Sequence, residues 1–236
     1  MLKVSKLSKS FTKPNLGFLN TEKSKKTILK DISFNAKEGD CIALLGKNGC
    51  GKTTLLKLLS GLLTLDKGSI TNNFDTPLDF SQISMVNSNE RSFFWRLSLI
   101  ENMKFFLPGA KYSNEIDYTL NKLGLYNKKD QLIMSLSTGE KKKASIARAL
   151  IKKPKLLLLD EFTSSLDVIS KNDILTELLN LIENRHVDAI IFTTHYLEEV
   201  IHLANRVFYL EEGKLKLDLS LNRQYNTEDI SKLFFD

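Results

Sequence analysis

Two glycines separated by four residues and followed by Lys and Thr, in Gly46-Lys47-Asn48-Gly49-Cys50-Gly51-Lys52-Thr53, are spaced to bind phosphate. Glycine lets successive backbone N–H groups turn inward around phosphate oxygens without a Cβ in the way. An apolar run, Cys41 to Leu45, leads in, and Thr54 to Leu59 has the composition of a helix. The loop therefore opens a helix whose N-terminal dipole favours anions. Lys52 is placed to meet the β- and γ-phosphates of a nucleotide, and the Thr53 hydroxyl to ligate Mg2+. Lys47, Asn48, Cys50 and Thr54 complete the expected nucleotide-binding set.

A second constellation lies downstream. Lys155 opens onto a continuous apolar run, Leu156 to Leu159, that ends in Asp160-Glu161. A buried parallel strand reads this way, and its C-terminal end is where ligands bind in open α/β sheets. Asp160 is placed to hold the Mg2+ shell and Glu161 to polarise an attacking water. Alone, such a strand would more often end in solvated acids; a matching phosphate loop upstream favours chemistry. His195 follows another apolar strand pattern, Ala189 to Phe192, through Thr193-Thr194, so it can face the same crevice. Between the two acidic and glycine-rich motifs stands Leu136-Ser137-Thr138-Gly139-Glu140. Ser137 with Glu140 three residues on is a capping box for the helix expected over 138–151.

With these motifs in this order, the chain resembles the ATP-binding subunit of ABC transporters from about Leu2 to its C-terminus. Residues 46–53 are similar to the Walker A motif, 156–160 with Glu161 to Walker B and its catalytic glutamate, and 136–140 to the family signature. Ser164-Ser165-Leu166-Asp167 is similar to the D-loop, and His195 to the switch histidine that contacts the γ-phosphate. The resemblance implies catalytic roles for Glu161, His195 and Lys52. It also implies that Phe11 stacks on adenine. Ser137, Thr138, Gly139 and Glu140 would bind ATP held by a second chain, so the protein is expected as a homodimer, or a heterodimer with a similar ATPase. A membrane-embedded permease subunit is the implied partner, and ATP and Mg2+ the implied ligands.

Several positions depart from the family pattern. Ser88 stands where a metal-shell glutamine is usual, so any contact with Mg2+ there passes through water. Thr138 replaces a Gly and Glu140 a Gln, which sets a carboxylate near a γ-phosphate unless it turns back into the capping box. Phe162 replaces a Pro, and Ser165 a smaller residue.

The elements needed to position these groups are those of a P-loop NTPase: an α/β fold with a mostly parallel sheet, an N-terminal antiparallel β part and an inserted α-helical subdomain. One domain is expected over 1–236, with 1–87 and 153–236 as the nucleotide-binding core and 88–152 as the helical subdomain. Strands are expected over 3–8, 28–34, 41–45, 69–71, 82–87, 155–160, 188–193 and 206–210. Helices are expected over 100–106, 115–123, 138–151, 169–182, 197–203 and 228–235, with a turn at 211–213.

At 236 residues and 42% hydrophobic content the chain can bury a sizeable core. No run approaches the roughly 18 to 20 apolar residues of a membrane-spanning helix, and residues 1–6 lack the apolar core of a signal peptide. Two cysteines, one in the phosphate loop, indicate a reducing compartment. A cytoplasmic protein, peripheral at the inner face of the cell membrane, is expected. The net charge of +6 is scattered and not interleaved with aromatics, which argues against nucleic acid. Residues 91–97, with the only tryptophan, resemble the partner-facing run of bacterial exporter-type ATPases, so export is expected. The alternative is a soluble single-cassette ABC ATPase serving cluster or macromolecular assembly.

Overall fold

The computed structural model describes residues 2–12, 25–72, 76–87, 93–106, 113–164, 166–221 and 226–235. Ser88, Arg91, Ser92 and Ser165 lie outside them. Two sheets organise the chain. Strands β1 (Leu2–Thr12), β2 (Lys25–Ala36) and β4 (Lys67–Thr71) form an antiparallel sheet in the order β2-β1-β4. A six-stranded sheet runs β5-β6-β7-β3-β8-β9, from β3 (Cys41–Leu45), β5 (Ile83–Val86), β6 (Leu156–Asp160), β7 (Ala189–Thr193), β8 (Arg206–Glu211) and β9 (Lys214–Ser220). All its pairings are parallel except β8 with β9.

The apolar runs seen in the sequence make the central strands, because a strand covered on both faces must be hydrophobic at every position. Alternate residues divide between two cores. Ile42, Leu44, Leu156, Leu158 and Ile191 face β1, β2 and the helix α1 (Lys52–Leu59). Ala43, Leu45, Leu157, Leu159 and Phe192 face the other side, with α4 (Thr138–Leu150) and α5 (Val168–Glu183). Helices α2 (Leu99–Phe106), α3 (Ser113–Lys122), α6 (Leu197–Leu203) and α7 (Thr227–Phe235) complete the set. Among the described residues no helix is long and apolar enough to cross a membrane.

No strand is expected beyond the turn at residues 211–213, yet β9 continues the sheet there. It is an edge strand in which Leu215, Leu217 and Leu219 alternate with Lys214, Lys216 and Asp218. That period of two was the available signal. Arg206 on β8 anchors it, with Nε and Nη2 2.6 and 2.5 Å from the Asp218 carboxylate.

Candidate functional site

The C-terminal ends of β3, β6 and β7 deliver the phosphate loop, Asp160-Glu161 and Thr193-Thr194-His195 to one edge of the sheet. The register sets Asp160 beside Thr193. Strand β3 ends at Leu45, and Gly46 begins the loop with φ 146°, a conformation reserved in practice for glycine. A Cβ there would lie 2.2 Å from the Leu210 carbonyl oxygen of β8, so the position is closed to side chains on steric grounds as well. Gly51 then precedes α1, and no side chain caps that helix. Its first amides have no intrahelical acceptor, and no acid occupies its first turn. Free amides at a helix start of this kind can receive an anion.

Lys52 is buried, and its ammonium donates to the carbonyls of Gly46 at 2.6 Å and Lys47 at 3.3 Å. Thr53 donates its hydroxyl to Asp160 Oδ1 at 3.1 Å, the same oxygen that accepts from Thr193 Oγ1 at 2.9 Å. Phe11, Ile28, Asn48, Gly49, Gly51, Lys52, Thr53, Thr54 and Glu161 line one cleft. Phe11 is exposed on β1 and its ring faces the Lys9 ammonium, 5.5 Å from the centroid. Cys50 sits between Gly49 and Gly51, and burial pushes its thiol up despite the opposing charge of Lys52. Both cysteines are free, and burial raises that of Cys41 far above its usual range.

Glu161 adopts φ 46°, left-handed backbone that a residue with a Cβ takes only at a cost. Three hydrogen bonds hold it there. Its amide donates to Thr193 Oγ1 at 2.9 Å, and its carbonyl accepts from Ser164 N at 3.1 Å and Ser164 Oγ at 2.8 Å. The carboxylate thereby meets His195, with Oε1 3.1 Å from Nε2, and both side chains remain about 40% exposed (40% and 42%). A carboxylate and an imidazole facing an anion cleft can orient and polarise a water. Thr193, expected only as the step from an apolar strand to His195, ties Asp160 to the Glu161 backbone through a single hydroxyl.

For a divalent cation the donors present are the Thr53 hydroxyl and the Asp160 carboxylate, both hard oxygens. Among the described residues no cluster of three His, Cys, Asp or Glu could hold a metal. That set fits Mg2+, which is commonly bound through one or two side chains with phosphates and waters.

Ser137 to Glu140 do not line the cleft of their own chain. They start α4, and the capping box is present: Ser137 N donates to Glu140 Oε2 at 2.8 Å and Glu140 N to Ser137 Oγ at 3.2 Å. Lys128 donates to the other oxygen, Oε1. Burial opposes ionisation of Glu140, but Lys128 and the Ser137 amide outweigh it and hold the carboxyl below its ordinary range. The carboxylate therefore turns inward and is neutralised, leaving Ser137 and Thr138 exposed at the helix start. Nothing in the sequence pointed to Lys128, which is brought in by a one-turn 3-10 helix over Tyr126–Lys128. Gly139 packs closely on α5: a Cβ there would lie 2.7 Å from Ser170 Oγ, so that side chain would have to shift. Asp167 caps α5 through Ser170 N at 2.9 Å.

In the aromatic run, Phe93 is buried while Phe94 and Trp95 are exposed. Buried Asn102 accepts from Phe94 N at 2.8 Å and donates to its carbonyl at 3.0 Å, fixing the loop. Phe105 and Phe106 pack on Phe94, with ring centroids 4.5 and 5.9 Å away.

A family model described as ABC transporter matches residues 29–164. An aliphatic sulfonates import ATP-binding protein of Agrobacterium fabrum is 34% identical over 206 residues, which cover 87% of this chain and 76% of that protein. A spermidine/putrescine import ATP-binding protein of Haemophilus influenzae is 34% identical over 222 residues, 88% of this chain and 57% of that longer protein. A Clostridium perfringens structure, part of the ABC transporter complex cbiONQ, matches with TM-score 0.80 and 27% identity, covering 98% of this chain and 93% of its own. A dimeric ATP-binding cassette bound to ADP and Pi shares the fold, with TM-score 0.78, 23% identity and coverage of 94% and 99%. Both curated relatives are named as import proteins, so the expectation of export finds no support in them.

Proposed function

The chain belongs to the ABC transporter family of ATP-binding, ATP-hydrolysing subunits, and on that premise we propose that it drives import of a solute through a separate membrane permease. The observation that carries the reading is the meeting of Glu161 and His195 at 3.1 Å beside the phosphate loop. Lys52, Thr54 and the loop amides bind the triphosphate, and Phe11 stacks on the adenine. Glu161 orients a water whose oxygen attacks the γ-phosphorus; the bond from that phosphorus to the bridging oxygen breaks, leaving ADP and phosphate. His195 contacts the γ-phosphate and fixes the Glu161 carboxylate. Thr53 and Asp160 would hold Mg2+, which when bound there would neutralise charge on the phosphate oxygens.

The second half of the site comes from another copy of the chain, or from a similar ATPase. Support comes from Ser137 and Thr138, exposed and outside the lining of their own chain's cleft, and from Val168 and Ile169, exposed beside Asp167. Amides at the start of α4 donate to the partner-bound γ-phosphate, and inward-turned Glu140 leaves room for it. In this reading residues 1–87 and 153–236 form the nucleotide-binding core, and 88–152 the helical subdomain that contains α2, α3 and α4. Phe94 and Trp95, joined by exposed Leu132 and Met134, offer the anchor for a permease helix. The protein would then work at the cytoplasmic face of the membrane. Import is favoured by the names of the relatives, whose cargoes differ from one another as expected if the permease selects the solute.

Steady-state ATP hydrolysis tests the assignment. Lys52→Ala should weaken ATP binding, and His195→Ala and Glu161→Gln should each lower kcat by at least about 100-fold. Normal turnover in Glu161→Gln would remove the carboxylate from its role. Copurification of the chain with a membrane protein in cells tests the transport role, and a chain that stays soluble and alone would exclude it.

A further inference from the structure

Glu199 is fully buried on α6, and each of its carboxylate oxygens is held. Oε1 accepts from Thr163 Oγ1 at 2.6 Å and pairs with the Lys171 ammonium at 2.9 Å, while Oε2 accepts from Thr194 Oγ1 at 2.6 Å. Thr194 in turn accepts from Tyr196 N at 3.0 Å, so its hydroxyl proton is committed to Glu199. Lys171 lies 4.1 Å from the centroid of the Tyr196 ring and belongs to α5, the helix that Asp167 caps.

The two threonines bracket the reacting pair. Thr163 is two residues beyond Glu161, and Thr194 immediately precedes His195. Neither Glu161 nor His195 is held by its own burial, and Glu161 has left-handed backbone that its surroundings must enforce. A buried carboxylate costs free energy unless it is fully paired, and this pairing joins the two segments just beyond the ends of the paired strands β6 and β7. Burial alone could be achieved with an apolar side chain; joining both loops to α5 could not.

We propose that Glu199, with Lys171, is a positioning residue that fixes Glu161 and His195 relative to one another and links their loops to the helix carrying Asp167. This rests on the reading of Glu161 and His195 as the pair that faces ATP. A carboxylate that only stabilised the fold would affect melting and leave turnover per folded molecule intact.

Steady-state kinetics on folded protein separate these roles. Glu199→Gln keeps the size but offers one acceptor oxygen, so one threonine hydroxyl loses its acceptor and faces an NH2 donor instead. It should lower kcat by about 10- to 100-fold, the scale of a small misplacement of reacting groups, with KM for ATP unchanged within about twofold. Thr163→Val, which keeps the shape and removes the donor, should do the same, and Thr163→Ser should restore most of the rate. Val200→Ala, a buried neighbour on α6, should lower the melting temperature and spare kcat. If Glu199→Gln does not fold, the Thr163 pair decides alone. Wild-type kcat in Glu199→Gln and Thr163→Val, with Glu161→Gln inactive, would overturn the positioning role. Turnover in Glu161→Gln itself would overturn the reading beneath it.

Discussion

Glu140 illustrates how one side chain changes meaning with its partners. Near a phosphate a carboxylate repels, but here one oxygen closes a capping box and the other meets Lys128. The consequence for pH follows from the direction of the shift. Its folded pKa lies below that of the unfolded chain, about 4.3, so its contribution is complete above that value and is lost as pH falls through the folded one. Glu140→Gln should therefore flatten part of the acid-induced loss of stability while sparing the neutral-pH value more than Glu140→Ala does, as read by denaturant unfolding between about pH 3 and 7. The capping box, the phosphate loop, Asp160-Glu161 and His195 were legible because each is a fixed spacing of residue types. Lys128, Lys171 and Glu199 were not, because they reach the site from separate elements and carry no spacing signal of their own; Thr163 and Thr193 stand inside the legible segments, but the partners of their hydroxyls are set only by the fold.

At the level of elements, α4 begins at the exposed Ser137, so its cap lies on the face proposed to meet a partner. Ser137→Ala should cost about 1 kcal/mol in urea unfolding, a small loss beside its expected effect on cooperative hydrolysis. The central strands carry more. Leu158→Ala, in a strand with no exposed residue, should cost about 2–5 kcal/mol. Continuous apolar runs made β3, β6 and β7 readable to within a residue at each end, since burial on both faces leaves no polar position to blur the boundary. Strand β9 went unread despite its alternation because a Glu-Glu-Gly turn resembles an ending; only the pairing with β8 makes it a continuation.

The whole molecule presents surfaces that it does not itself cover. Phe94, Trp95, Phe105 and Met134 are exposed on the helical side, and Val168 and Ile169 beside Asp167. If the first set receives a permease helix, Trp95→Ala should reduce membrane copurification and leave the ATPase rate of the isolated subunit within about twofold. If the second surface completes a shared site, ATP acts mechanically there, favouring the closed pair only through its greater affinity for that state. The most direct measurement is sedimentation of Glu161→Gln with Mg2+ and either ATP or ADP. A nucleotide that is bound but not cleaved should hold two chains together, giving a dimer with ATP and a monomer with ADP. A Glu161→Gln protein that binds ATP and remains a monomer would contradict the shared site.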